Sequence, residues 1–98
     1  MGDPSVKRRL ARAKKRVEKT LKKTGYGIIP SDNSVFCILG IREREIRLIR
    51  VVVDVITKED REVVRDFNHP GICIKEIWLK KKNISEFEIQ EISKGDGF

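Results

Sequence analysis

The fold of this chain is decided by the stretch VFCILGIREREIRLIRVVVDV, from Val35 to Val55. Two apolar runs enclose a short charged segment, and the second run contains three consecutive valines. β-Branched residues at this density favour extended backbone, and two runs joined by so few residues must pair antiparallel. Because the second run does not alternate strictly between apolar and polar residues, we predict a strand that is covered on both faces.

The sequence on either side of this hairpin predicts two helices and three further strands. Asp3-Pro4-Ser5 is a typical helix start, and Gly25 supplies a left-handed residue at the helix end. Thr57 caps a second helix, which stops before a Pro-Gly turn. The predicted elements outside the hairpin are a helix over 3–25, a short strand within 26–34, a helix over 57–68 and strands over 72–82 and 85–92.

The order α-β-β-β-α-β-β predicts one domain over residues 1–98. We expect an α/β fold of α+β character, with a mixed sheet of four to five strands and a helix on each face. The helical connection after Val55 makes the strands at its two ends parallel, whereas the short connections elsewhere require antiparallel neighbours. Residues 26–92 form the sheet with its crossover helix, and we expect residues 93–98 to be a frayed tail.

The positive charge of the chain is concentrated in the first helix. Ten of the 22 Lys and Arg residues and two of the 15 acidic residues lie in residues 1–25, so this segment carries +8 and the rest of the chain −1. Apolar residues recur there at helical spacing and predict a buried stripe. The opposite side is a surface that we call the cationic ridge: Lys7, Arg8, Arg12, Lys15, Lys19, Lys22 and Lys23.

The cationic ridge indicates a polyanion as partner, and DNA in the first place. Phosphate contacts of this kind give sequence-independent, salt-dependent affinity, and no base-reading motif is present. The alternatives are a solvated helix face and a surface for an anionic protein or membrane. Lys80, Lys81 and Lys82 either extend the ridge or protect an edge strand from strand addition.

Other polar and aromatic residues are assigned to structure. Arg42, Arg44 and Arg47 alternate with Glu43 and Glu45, which predicts a solvated, self-neutralising turn. The remaining assignments are packing for Trp78, Tyr26 and Phe36, a structural role for His69, and two buried thiols rather than a disulfide for Cys37 and Cys73.

The chain shows no sign of secretion or of membrane insertion. No run approaches the roughly 18 consecutive apolar residues that cross a bilayer, and no apolar signal region follows the cationic N-terminus. We therefore expect a cytoplasmic protein without a membrane partner.

Taken in order, several runs resemble the PD-(D/E)xK nuclease superfamily, in particular archaeal Holliday junction resolvases and small restriction-endonuclease-like proteins. The runs are KRVEKTLKKTGYGII, VFCILGI, IRLIRVVV, TKEDREVVRDF and ICIKEIWLKKK, so the resemblance extends over residues 6–92. It implies a restriction-endonuclease-like fold. In that family, carboxylates on two strands and on the first helix bind Mg²⁺, and a Lys on the third strand assists phosphodiester hydrolysis.

The positions that match those catalytic residues carry other side chains here. Cys37 stands at the position of the strand Asp, Arg50 at that of the second acid, and Val52 at that of the Lys. Lys14 falls near the helix Glu. The resemblance therefore implies a nuclease scaffold without its catalytic site and without a metal cofactor.

Three functions follow from these observations and stay open. The first is a non-catalytic, sequence-independent nucleic-acid-binding domain. The second is a homo-oligomeric interaction or assembly protein, since resolvase relatives form dimers. The third is a divergent Mg²⁺-dependent nuclease with displaced acids, which are Asp54 together with Asp32 or Glu76.

Overall fold

The computed structural model describes residues 4–31, 35–67 and 73–92. The elements are α1 (Pro4–Lys23), β1 (Gly27–Pro30), β2 (Ile38–Arg42), β3 (Glu45–Val53), α2 (Lys58–Asp66), β4 (Cys73–Lys80) and β5 (Glu88–Glu91). The predicted order is confirmed, and the fold is α+β. Most elements are shorter than predicted, and β2 begins at Ile38 rather than Val35. His69, Asp32 and the predicted tail lie outside the described residues.

The five strands form one mixed sheet in the order β1-β2-β3-β4-β5. Only β3 and β4 are parallel, with Ile46 level with Cys73 and Val53 level with Lys80. The other neighbours are antiparallel, as their short connections require. The parallel pair is the one that α2 connects, which confirms the predicted crossover.

Helix α1 covers one face of the sheet. Val17 and Leu21 are buried against Ile49 and Val51 of β3. The helix ends in a Schellman motif, in which the N–H of Tyr26 donates to the carbonyl of Leu21 at 3.0 Å and Gly25 has φ 92°. The predicted role of Gly25 is confirmed, and the motif turns the chain back so that Tyr26 packs beneath its own helix.

Helix α2 covers the opposite face. Val64 packs in a cluster with Phe36, Leu48 and Ile77. Because Leu48 and Ile49 are consecutive in β3, their side chains point to opposite faces, and β3 is covered on both sides as predicted. Burial of each such side chain contributes about 1.5–3 kcal/mol to stability.

The two ends of α2 are fixed by polar side chains. Thr57 and Asp60 form a capping box, in which the Thr57 hydroxyl accepts from the Asp60 N–H at 3.0 Å and the Asp60 carboxylate accepts from the Thr57 N–H at 2.9 Å. At the other end the ammonium of Lys75, which is only 1% exposed, donates to the carbonyl of Arg65 at 2.8 Å. Lys75 is therefore a structural residue that binds the C-terminus of α2 to the sheet.

The hairpin tip differs from its prediction. Only Glu43 and Arg44 form the turn, whereas Arg42 and Glu45 are paired across β2 and β3. Glu45 and Arg47 are half-buried. The prediction of a solvated turn is wrong for these two residues, because a two-residue turn leaves the following side chains inside the sheet.

The two cysteines lie on opposite faces of the sheet. Cys37 packs against the α1 side and Cys73 against the α2 side, and both are free and half-buried. The assignment to two thiols rather than a disulfide is therefore confirmed. Among the described helices, none combines the length and the apolar character needed to cross a membrane.

Candidate nucleic-acid interface

The cationic ridge lies along the solvent side of α1. All seven of its side chains are exposed, and in the described part of the chain none of them forms an ion pair. From Lys7 to Lys23 the ridge extends for about 24 Å at 1.5 Å per residue. The buried stripe fixes this orientation, because burial of Val17 and Leu21 leaves the opposite side of the helix in water.

The positive surface continues beyond the ridge towards β4. Arg9 and Arg16 lie on the flank of α1 that faces the end of β4, and with Arg12 they are spaced three and four residues apart. Residues at this spacing are neighbours on one side of a helix. Lys19 and Lys23 continue the same row. Arg9 and Arg16 are not among the predicted phosphate contacts, although their spacing with Arg12, Lys19 and Lys23 is a sequence signal for this row.

Between α1 and the turn that follows β4 there is an open cleft of about 310 Å³, which we call the Arg–Lys cleft. Its lining residues are Arg9, Arg12, Ala13, Arg16, Lys80, Lys82 and Asn83. The turn is closed by the N–H of Ile84, which donates to the carbonyl of Lys81 at 3.3 Å. Asn83 has φ 64°, a left-handed conformation that Asn tolerates better than most residues. Five cationic side chains therefore converge on one concave surface.

The three predicted lysines at the end of β4 do not act together. Lys80 and Lys82 line the Arg–Lys cleft, whereas the ammonium of Lys81 pairs with the Glu88 carboxylate of β5 at 3.0 Å. Lys80 and Lys82 thus extend the positively charged surface of α1. Lys81 instead lies beside the edge strand, where it matches the alternative prediction of a charge near an exposed edge.

Two arginines of the cleft are held in place by partners. The guanidinium of Arg16 donates to the carbonyl of Ser85 at 2.7 Å and lies 5.6 Å from the centre of the Phe87 ring. The guanidinium of Arg9 makes a two-point contact with Asp54, with Nη1 3.0 Å from Oδ2 and Nη2 bonded to Oδ1. The hydrogen bond from Arg9 lowers the pKa of Asp54, and the charge of Lys82 lowers it further.

Near the other end of α1, on the sheet, lies a group of charged side chains that are paired with one another. Arg47 Nε donates to the Tyr26 hydroxyl at 2.8 Å and to Glu45 at 2.6 Å, while Arg47 Nη1 bonds to Glu76. The indole N–H of Trp78 donates to Glu76 at 2.9 Å. Burial opposes the charge of Arg47, but the carboxylates of Glu45 and Glu76 still keep its pKa above the usual value. We call these five residues the Arg47 network.

Three of the four positions that match the nuclease catalytic residues line a single cleft. Lys14, Cys37 and Arg50 surround a space of about 240 Å³, whereas Val52 packs in the cluster on the α2 face. The guanidinium of Arg50 donates to Asp60 at 2.9 Å. Burial would raise the pKa of Asp60, but hydrogen bonds from the Thr57 N–H and from Arg50 outweigh it and lower that pKa.

The acids of the divergent-nuclease hypothesis do not meet where the structure describes them. Glu76 is level with Ile49, whereas Asp54 follows Val53 at the far end of β3, at least about 13 Å away along the strand. Asp32 lies outside the described residues. Among residues 4–31, 35–67 and 73–92, no group of three or more His, Cys, Asp or Glu residues could hold a metal ion.

Comparisons with known proteins add nothing to this geometry: no protein family, no curated protein and no solved structure matches the chain. The candidate interface is therefore defined by the positions and charges of its own residues.

Proposed function

We propose that this chain is a non-catalytic, sequence-independent nucleic-acid-binding domain whose cationic ridge contacts the phosphate backbone of DNA. The observation that carries the proposal is that all seven ridge side chains are exposed and none has an ion-pair partner within the described residues. Like charges at this spacing repel one another and weaken the helix. A bound polyanion removes that repulsion, and the ridge is therefore better explained as a polyanion-binding surface than as a solvated helix face.

The dimensions of the ridge fit a stretch of duplex. About 24 Å of helix corresponds to about seven base pairs at 3.4 Å per pair. If six of the seven cations each neutralise one phosphate, the logarithm of the affinity falls with the logarithm of the salt concentration at a slope of about −5. Nothing in this arrangement reads base edges, so affinity depends on the shape and charge of the nucleic acid.

The proposal includes a restriction-endonuclease-like scaffold that has lost its catalytic residues. It is supported by the cleft that Lys14, Cys37 and Arg50 share, because the resemblance assigns catalytic positions to all three. None of these side chains offers an oxygen ligand, which Mg²⁺ requires. The scaffold then serves to present α1 rather than to cleave.

The proposal is tested by fluorescence anisotropy with labelled duplex and four-way-junction DNA, at low and moderate salt with Mg²⁺ present. We expect replacement of Arg8, Lys15 and Lys19 by Gln to weaken binding at least about tenfold and to reduce the salt slope by about 2.7. The matched control replaces three cations of α2, Lys58, Arg61 and Arg65, which lie on the opposite face of the sheet. This control removes the same net charge and should change affinity much less.

Equal losses in the ridge variant and the α2 variant would contradict the proposal, because net charge alone would then explain binding. Absence of binding by the unmodified protein at low salt would also contradict it. Cleavage of either DNA with Mg²⁺ would overturn the non-catalytic part, and loss of that cleavage in Asp54→Ala would favour the divergent nuclease.

A second candidate function is homo-oligomeric assembly through a sheet edge. Each edge strand carries an exposed isoleucine, Ile29 in β1 at 47% and Ile89 in β5 at 50% exposure. Exposed apolar side chains on an edge strand favour pairing with another strand. Sedimentation velocity at two concentrations distinguishes this assembly from a monomer, and loss of any dimer in Ile89→Lys would identify β5 as the edge involved.

A further inference from the structure

We propose that the Arg–Lys cleft binds the terminal phosphomonoester of a nucleic-acid strand, which displaces Asp54 from Arg9. This inference rests on the proposed function, since the cationic ridge would hold the strand whose end enters the cleft. It adds a distinct site with its own ligand, because five of the six polar residues that line the cleft lie outside the ridge, namely Arg9, Arg16, Lys80, Lys82 and Asn83.

The charge of the cleft exceeds what one internal phosphate needs. Five cationic side chains line it, and Asp54 is the carboxylate bonded to one of them. An internal phosphodiester carries a single negative charge, whereas a terminal phosphomonoester carries about 1.5 to 2 near neutral pH and presents three acceptor oxygens. The terminal group therefore matches the charge in the cleft more closely.

The arginines are suited to a phosphate by geometry as well as by charge. A guanidinium presents parallel N–H donors that fit phosphate oxygens two at a time, and Arg9 already makes such a two-point contact with Asp54. Arg16 is fixed by Ser85 and Phe87, so less side-chain entropy is lost when a ligand binds. The volume of about 310 Å³ is at the lower end of small-ligand sites and leaves room for a terminal nucleotide.

Asp54 acts in the free protein as the counter-ion of Arg9. Its side chain is 47% exposed, so the pair is screened by water and exchanges readily for a stronger anion. Since Asp54 and a phosphate compete for the same guanidinium, removal of the Asp54 charge should strengthen phosphate binding. Asn is the suitable replacement, because it tolerates the left-handed backbone (φ 73°) found at this position.

The test compares three duplexes of one sequence, with a 5′-phosphate, with a 3′-phosphate or with hydroxyl ends only, by anisotropy at about pH 7.5. We expect one phosphorylated duplex to bind about tenfold more tightly than the unphosphorylated one, and the better of the two identifies the end that is recognised. The preference should decrease between about pH 7 and pH 5, as the second ionisation of the phosphate near pH 6 is lost. Equal affinity for all three duplexes would overturn the inference.

Variants separate the cleft from the ridge. Arg9→Gln combined with Lys82→Gln should abolish the preference for a phosphorylated end, whereas Lys19→Gln combined with Lys23→Gln should weaken all duplexes and keep the preference. Asp54→Asn should increase the preference about threefold or more. A preference that survives the loss of Arg9 and Lys82 would place the phosphate elsewhere and overturn the inference.

A mononucleotide distinguishes failure of the cleft from failure of the ridge. A nucleoside monophosphate with the phosphate on the preferred end should raise the thermal midpoint of the protein. The variant with Lys19→Gln and Lys23→Gln should show an equal rise in its thermal midpoint. If no duplex binds but the mononucleotide does, the proposed function fails while the cleft is supported. If duplexes bind without regard to their ends, the cleft fails and the ridge is supported.

Discussion

Two groups of charged side chains beside α1, the Arg47 network near Tyr26 and the Arg–Lys cleft near Lys80, differ in how far their charges are neutralised. At the end near Tyr26, Arg47 bonds to two carboxylates, and Glu76 is 4% exposed. Near Lys80, five cationic side chains line one cleft, and Asp54 pairs with one of them, Arg9. The first arrangement satisfies its charges internally. The second leaves positive charge exposed to whatever binds from outside.

The difference separates charges that are neutralised within the protein from charges that face solvent. A buried ion must be paired, because an unpaired one loses its hydration without compensation. Arg47 accordingly donates to the Tyr26 hydroxyl and to the carboxylates of Glu45 and Glu76. Arg12 and Lys82 are exposed and form no ion pair within the described residues, so their charges remain available to a ligand.

The largest expected effect on stability comes from breaking the Arg47 network. Glu76→Ala leaves Arg47 and the Trp78 N–H without their common acceptor, and we expect the free energy of unfolding to fall by about 3 kcal/mol. Denaturant unfolding at neutral pH measures the change. The matched control is Glu88→Ala, which breaks the exposed pair with Lys81 and should cost no more than about 0.5 kcal/mol. Equal losses in the two variants would mean that the network is not structural.

An intermediate effect on stability is expected at Asp60, which forms a largely buried ion pair with Arg50. Asp60→Asn should lower the free energy of unfolding by about 1 kcal/mol at pH 7, since a capping carboxylate and an ion pair are weakened. Because the folded-state pKa of Asp60 is lowered, its contribution is complete above the unfolded value of about 3.9 and is lost as the pH falls through the folded value.

The difference between the unmodified protein and Asp60→Asn should therefore be constant from pH 7 to about pH 5 and should shrink below about pH 4. Asp66→Asn is the control, since Asp66 is exposed and its ion pair within the described residues is with its neighbour Arg65 at the surface. A gap for Asp60→Asn that persists unchanged at pH 2 would contradict the assignment to an ionised, paired carboxylate.

The smallest effect on stability is expected at Asp54. Asp54→Asn breaks the contact with Arg9, yet an exposed pair contributes little, so the thermal midpoint should not change measurably. The same variant should bind phosphorylated DNA ends more tightly. Loss of the Asp54 charge would thus affect binding and not stability, whereas loss of Glu76 would lower stability. A large loss of stability in Asp54→Asn would remove the contrast between the two ends of α1.

Much of the fold could be predicted because its signals are local. Each signal involves residues that are close together in the sequence: the 3.6-residue period of α1, the run of valines in β3 and the capping residue Thr57. Pairings between distant residues have no such signal. In the sequence Lys75 has the appearance of a surface lysine, and only the fold brings its ammonium to the carbonyl of Arg65. Local sequence predicts a turn at Arg47, because its partner Glu76 is remote in sequence.

The candidate site divides in the same way. The sequence by itself determined the cationic ridge, because the buried stripe of a helix dictates which side remains in water. Tertiary structure alone decided that Arg9 and Arg16 meet Lys80 and Lys82 in one cleft. The parallel pairing of β3 with β4 brings residues about 70 positions apart to one end of α1, and no local rule of spacing specifies that contact.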